Sequence, residues 1–396
     1  MKPPAQPQLP LGPGLVFSGG GARGAYQAGV AKALGEVAEG MGLKSPFRAM
    51  AGVSAGAINA AFLGAHAHDV PTGAHRLVDL WSRLRPDQVF KTGPMSLGST
   101  GLTWARALTV GPIVGGAPAQ SLLDTAPLRH VLQGALPFAS LERNIASGVI
   151  NGVAVTATDY ASIHTVTFYQ SAGRCPPWRR RRRIAKEVVL SVDHVMASSA
   201  IPLFFPPVAV DGSFFGDGCL RNQAPLSPAI HLGADRLIVV GVRRRPSPQD
   251  DIPQRVRPTL ARILSVLLNA MFFDAVDYDV ERLQTINKTM EVTGPAPGAL
   301  FRPVDLIVIQ PSEDLGLIAR EEARHMPRVI RYLLSGMGTA DEASEIYSYL
   351  LFAGDYSRRL IDLGYKDGIA VKDQLAAFMA PRPGPPQQAV TRRWEA

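Results

Sequence analysis

A serine set between glycines is the first residue in this chain with the means to do chemistry. In MAGVSAGAINAAFLG (residues 50–64), Ser54 stands between Gly52 and Gly56, giving G-x-S-x-G. A short apolar run leads in and an Ala-rich run leads out, so the motif is expected on a strand-to-helix turn. A serine nucleophile must stand exposed on a sharp turn with nothing bulky beside it, and flanking glycines permit that close approach of strand and helix. The following helix N-terminus would lend a positive field to the developing alkoxide.

A second small-residue motif, SGGGARGAY (residues 18–26), also follows a strand pattern and opens a helix. Gly19, Gly21 and Gly24 satisfy G-x-G-x-x-G, which raises a dinucleotide site as a rival reading. That reading needs an acidic residue about 20 positions on, at the end of the second strand. The second strand ends instead in AGVSAG, and Glu36 and Glu39 fall in the intervening helix. Consecutive glycines also leave backbone N–H groups free to point at one anion, as an oxyanion hole requires. Gly19, Gly20 and Gly21 are the expected donors. Arg23 is expected to add a charge at the rim, against a plainer reading as a surface arginine on a first helical turn.

A serine needs a base. Of the eight histidines, only His231 and His325 follow the best acid candidate, and neither falls on the strand-end loop that a Ser-acid-His triad would use. The third motif, VDGSFFGDGCLRNQAPL (residues 210–226), offers an alternative. Asp211-Gly212 reads as a hairpin turn. Asp217, followed by Gly218 and Cys219, is an aspartate on a glycine-assisted loop, which can act directly as base toward a serine hydroxyl. No H-E-x-x-H, cysteine cluster or EF-hand pattern occurs, so neither metal nor cofactor is expected. Cys175 and Cys219 are the only cysteines and are expected reduced.

Taken in order, G-G-G-x-R-G, then G-x-S-x-G about thirty residues on, then a late D-G-x with an Asn and a Pro after it, the pattern resembles the patatin-like phospholipases. MASSAIPLFFPPV (residues 196–208) is similar to the segment that precedes the aspartate in that family. The resemblance covers residues 14–242. It implies a three-layer α/β/α fold with a mostly parallel sheet. It also implies a serine acyl hydrolase that cleaves fatty-acyl esters of phospholipids or lysophospholipids through a Ser-Asp dyad and an acyl-enzyme. By that likeness Ser54 is the nucleophile, Asp217 the base, and Gly20, Gly21 and Arg23 belong to the oxyanion loop. Two departures stand out: Cys219 follows the D-G pair, and the usual Asn-Asn is Asn222-Gln223, which bears on the loop geometry. A noncatalytic lipid-binding or regulatory protein on the same fold is the rival from another class.

The elements that must position these residues alternate along the chain. GLVFSG (14–19), FRAMAGV (47–53), NGVAVTATDY, HTVTFYQ, RLIVVGV (236–242) and VDLIVIQP (304–311) read as strands, with helical patterns after the first two. Such alternation favours a layered α/β sheet with helices on both faces. Residues 85–120, rich in Gly, Pro and Thr, read as a long surface excursion, either a lid or a passive loop. The apolar run at 258–287 reads as one long core helix, with membrane insertion as the lesser reading. The expected organisation is a disordered tail (1–13), a catalytic domain (14–245), a mainly helical extension packed on it (246–380) and a second disordered tail (381–396).

The chain has 396 residues, 46% of them hydrophobic, and a net charge of +8. Five of the positive charges are consecutive: Arg179, Arg180, Arg181, Arg182 and Arg183. This run reads either as a solvated loop or as a peripheral contact with anionic membrane, with Trp178 beside it as an interfacial residue. No RNP, zinc-finger or aromatic-interleaved pattern supports nucleic acid. No apolar run reaches the length of a membrane span, and the Pro-rich N-terminus lacks a signal-peptide core. The expected compartment is the cytoplasm, with peripheral membrane contact.

Overall fold

The computed structural model describes residues 9–91, 121–221, 226–244, 257–272, 274–294, 302–336, 338–339 and 341–382. Residues 92–120 of the expected excursion, Asn222, Gln223 and most of both expected tails lie outside the described residues. The strands are β1 (Gly12–Phe17), β2 (Ala49–Val53), β3 (Gly152–Asp159), β4 (Thr165–Gln170), β5 (Arg179–Arg180), β6 (Arg183–Glu187), β7 (Val208–Val210), β8 (Ser213–Asp217), β9 (Ala234–Val240) and β10 (Asp305–Ile309). They form one sheet in the order β10-β9-β1-β2-β3-β4-β6-β5, with β7 and β8 off that path. The five strands from β10 to β3 are parallel, and β4 returns antiparallel to β3. β1 and β2 are buried at every residue, as the central strands of a doubly covered sheet must be. The first strand begins two residues earlier than its apolar pattern suggests.

Helices cover both faces. On one lie α1 (Gly24–Gly40), α2 (Ala55–Ala65), α3 (Val70–Arg83) and much of the C-terminal part, sharing a core with Phe17, Met50 and Val155. On the other, the helices Leu226–His231 and Asp274–Thr293 pack on Val16, Ala51, Ala154 and Val239. The C-terminal part is not set apart: β10 extends the sheet beside β9, and the helix Gly354–Ala370 lies along α1. Glycines allow that contact, since a Cβ at Gly364 would fall 2.0 Å from the Tyr26 carbonyl oxygen.

One expectation about the C-terminal part is overturned. The apolar run at 258–287 is not buried all round: its described stretch Leu260–Phe272 is covered on one side only. Ala261, Ser265 and Leu268 face inward, whereas Leu260, Ile263, Val266 and Leu267 face solvent.

Candidate active site

The sheet register fixes where the three motifs meet. β2 pairs with β3 as far as Val53↔Thr156. The next residue of β3, Ala157, pairs with Asp217 of the antiparallel strand β8. Since β4 occupies the other side of β3, β2 and β8 run head to head along one edge, and Ser54 and Asp217 stand where they meet. Gly218 allows this abutment, as a Cβ there would lie 2.6 Å from Val53 Cγ2 and 2.1 Å from the Thr156 carbonyl.

Ser54 takes φ 56° and ψ −129°, a conformation that L residues with side chains seldom adopt and that persists only where the surroundings enforce it. Both motif glycines serve this turn. A Cβ on Gly52 would sit 2.0 Å from the Gly56 carbonyl oxygen, and one on Gly56 would sit 2.4 Å from that of Phe17. Ser54 is not exposed on the surface, contrary to the expectation for such a turn. It is 1% exposed, because it forms part of the wall of a pocket rather than projecting from a loop.

Hydroxyls that the sequence reading passed over hold the turn. The Ser54 N–H donates to Ser198 Oγ at 3.0 Å, and Ser198 Oγ donates to the Thr156 carbonyl at 2.6 Å. Ser199 Oγ donates to the Ser54 carbonyl at 3.1 Å. The Asp217 N–H donates to the Ala200 carbonyl at 2.9 Å, and Thr158 Oγ1 to the Asp217 carbonyl at 3.0 Å. Three consecutive residues, Ser198 to Ala200, therefore tie the backbone of Ser54 to that of Asp217. Their only advance sign was membership of the MASSAIP segment.

Asp217 is fully buried. Its Oδ1 accepts the Cys219 N–H at 2.8 Å, while among the described residues Oδ2 makes no hydrogen bond of ordinary length. Burial raises its pKa to about 6; the neighbouring Ser54 hydroxyl and the Cys219 amide pull the other way. An unpaired, basic carboxylate oxygen beside a serine hydroxyl can take up its proton, and such contacts are often long in the absence of substrate. His231 and His325 have no part in this cluster. His231 stacks on Trp178 at 4.2 Å, and His325 faces Glu322 and Asp355.

The glycine loop reaches the same place from β1. The amides of Gly20 and Gly21 donate to no acceptor among the described residues, and Gly21 lines the pocket with Ser54. Gly21 has φ +56°, and a Cβ on it would lie 2.4 Å from the Tyr349 carbonyl oxygen. The Gly19 amide is directed at the buried Cys219 thiol. Arg23 corrects both readings of it: it is neither a charge at the rim nor a surface residue. The residue is 2% exposed, and its guanidinium is paired with Glu345, donates through Nε to Ser348 Oγ at 2.8 Å, and lies over the Tyr349 ring. Burial alone would lower its pKa, but the Glu345 carboxylate outweighs that and raises it. Behind the loop, Gln27 Nε2 donates to the Ser18 carbonyl, Asn59 Nδ2 to Gln27 Oε1, and Trp81 Nε1 to Asn59 Oδ1.

Apolar side chains, among them Ile58, Trp81, Leu128, Leu132, Phe205 and Phe352, form most of the pocket's wall. An apolar slot that begins at Ser54 suits a hydrocarbon chain. Among the described residues no group of acidic, His and Cys side chains could hold a metal ion.

The Patatin family profile, described as patatin-like phospholipase, matches residues 15–230. No curated protein matches the chain. Among solved structures, VipD from Legionella pneumophila is similar at 14% identity and a TM-score of 0.37, covering 92% of this chain and 67% of that one. The type III effector ExoU of Pseudomonas aeruginosa shows 14% identity and a TM-score of 0.37 over 94% of this chain and 54% of its own. Human GIVD cytosolic phospholipase A2 shows 12% identity and a TM-score of 0.40 over 94% and 60%. The chain thus spans between half and about two thirds of the length of these neighbours. Since the profile extends from β1 through both the serine and aspartate motifs and takes in more than half of the chain, the chain belongs to the patatin-like phospholipase family.

Proposed function

We propose that this chain is a serine acyl hydrolase that cleaves fatty-acyl esters of phospholipids or lysophospholipids through a Ser54–Asp217 dyad. The family supports lipid-ester hydrolysis. One observation carries the finer reading: Ser54, held in a strained turn, stands between the unpaired Oδ2 of Asp217 and an apolar pocket edged by the free Gly21 amide.

Asp217 accepts the Ser54 proton as Oγ bonds to the ester carbonyl carbon. The amides of Gly20 and Gly21 hold the resulting oxyanion, with Gly19 turned to Cys219 instead. When the intermediate collapses, the ester C–O bond breaks and Asp217 passes its proton to the departing alcohol oxygen. The acyl group stays on Ser54, its chain in the pocket. A water then gives a proton to Asp217 and its oxygen to the acyl carbon, and the fatty acid leaves as Ser54 recovers its proton.

Residues 14–245 form the catalytic domain in this reading, and 246–380 an extension that adds Phe352 to the pocket and Tyr349 behind Gly21. The arginine run is a peripheral contact with anionic membrane. Arg180 pairs with Arg183, Arg183 with Thr165, and Thr165 with Thr158, so the hairpin lies at the same sheet end as Ser54. All five arginines are exposed, and Arg183 faces Asp279. Trp178 does not serve as an interfacial residue, because it is packed between Tyr169 and His231. Changing the run to Gln should weaken binding to anionic vesicles and spare turnover of a short soluble ester; unchanged binding at low salt would remove it from the contact.

A panel of phospholipids, lysophospholipids and neutral glycerides, assayed with wild type, Ser54→Ala and Asp217→Asn, tests the reading. Fatty-acid release by wild type alone supports it. A His231→Ala or His325→Ala variant as inactive as Asp217→Asn would point to a triad instead.

A further inference from the structure

The helix Leu260–Phe272 carries an apolar stripe that stands exposed among the described residues. Its inner face is settled: Ala261, Ser265 and Leu268 are buried, and Ser265 Oγ donates to the Glu342 carbonyl at 2.7 Å. On the outer face Leu260, Ile263, Val266 and Leu267 are 60%, 47%, 53% and 56% exposed. Single exposed aliphatic residues are ordinary, but four adjoining on one helix face mark a surface that meets something apolar.

Position and charge indicate what that is. The helix packs against Gly218–Leu220, the turn that directly follows Asp217, and against Ser344–Leu350, whose Tyr349 backs Gly21. Residues 257–272 carry no carboxylate, and the cations Arg257 and Arg262 stand exposed beside the stripe. A helix face that is apolar and flanked by cations is suited to lie in the surface of a bilayer. No helix among the described residues is long and apolar enough to span a membrane.

We propose that this stripe is the face on which the protein settles on an anionic phospholipid bilayer, with Leu260, Ile263, Val266 and Leu267 in the acyl boundary and Arg257 and Arg262 at headgroup level. The proposal rests on the lipid-hydrolase reading, since docking there sets the Asp217 turn, and with it Ser54, next to the lipid layer. An amphipathic helix with cations at its flank and no acidic residue has the charge that such a surface attracts. A second copy of this chain is the competing occupant, and the same cations would disfavour it through repulsion.

The test uses the full chain with Ser54→Ala, so that binding is read without turnover, and vesicles of equimolar phosphatidylcholine and phosphatidylglycerol. Ile263→Glu/Leu267→Glu should lower the vesicle partition coefficient by about tenfold or more, the factor that burial of even one aliphatic side chain contributes. In the Ser54-intact chain the same pair should leave hydrolysis of a short soluble ester unchanged, which shows that the variant is folded. In Leu267→Trp, the introduced indole should shift its emission to the blue on vesicles and be quenched by brominated lipid. Equal partitioning of the Glu variant, or an indole that brominated lipid does not quench, would overturn the proposal. So would a wild-type dimer that the Glu pair converts to monomer with vesicle binding intact. Loss of the lipid-hydrolase reading itself would appear separately, as ester hydrolysis that survives Ser54→Ala.

Discussion

Replacing Asp217 by Asn should abolish turnover and at the same time stabilise the fold. The carboxyl is fully buried, and its pKa stands at about 6 against an ordinary 3.8. A difference of about two units, at about 1.4 kcal/mol each, means that the ionised form costs the folded state about 3 kcal/mol. Asn removes the charge and keeps an oxygen to accept the Cys219 N–H, but its amide N–H groups need acceptors and recover only part of that sum. A net gain on the order of 1–3 kcal/mol at pH 8 follows. The sign is set by linkage. Because the folded pKa lies above the unfolded one, wild-type stability is highest below about pH 4 with respect to this group and falls as pH rises toward 6. The variant lacks that dependence, so its advantage should grow between about pH 4 and 6 and then hold level. Urea unfolding of both proteins at pH 4, 6 and 8 measures this. A variant less stable than wild type at pH 8, or an advantage that does not change with pH, would refute the reasoning from burial. Turnover in the same variant should fall by about three to four orders of magnitude.

The same carboxylate should give kcat/KM an acidic limb: the base acts only when ionised, so activity should rise with pH through about 6, and a limb absent from a short-ester pH profile would count against Asp217. Ser198→Ala and Ser199→Ala each remove a hydroxyl bonded to the Ser54 backbone, and each should lower kcat by about tenfold with KM little changed while costing about 1 kcal/mol of stability. Glu345→Gln leaves the buried Arg23 guanidinium without its charge partner and should lower unfolding stability by about 2 kcal/mol or more, whereas Arg23→Met/Glu345→Met should regain much of it; both are read by urea denaturation.

What the sequence could disclose follows from the range of the forces involved. The turns at Ser54 and at Asp211-Gly212 are local: glycine is required there by contacts within a few residues or by positive φ, as at Gly52 against Gly56 and at Gly212 with φ 78°. The alternation of buried strands and helices is likewise readable from short segments. Arg23 was not readable, because its partner Glu345 lies 322 residues away and nothing near Arg23 marks the pairing. Ser198 and Ser199 resemble any small polar residues until the strand register brings Thr156 and Ser54 to them. The 260–272 helix shows the limit most clearly. Composition reveals that its residues are apolar, but only packing reveals that Leu260, Ile263, Val266 and Leu267 stand exposed. Trp178 errs the other way: its arginine neighbours suggest a surface role, and its stacking on His231 gives it a structural one.

The most direct measurement of the Ser54–Asp217 assignment is peptide-mapping mass spectrometry after treatment with a long-chain alkyl fluorophosphonate. The dyad mechanism predicts a single adduct, on Ser54, with none in Ser54→Ala and a greatly slowed reaction in Asp217→Asn. An adduct on another residue, or labelling that persists in Ser54→Ala, would contradict it.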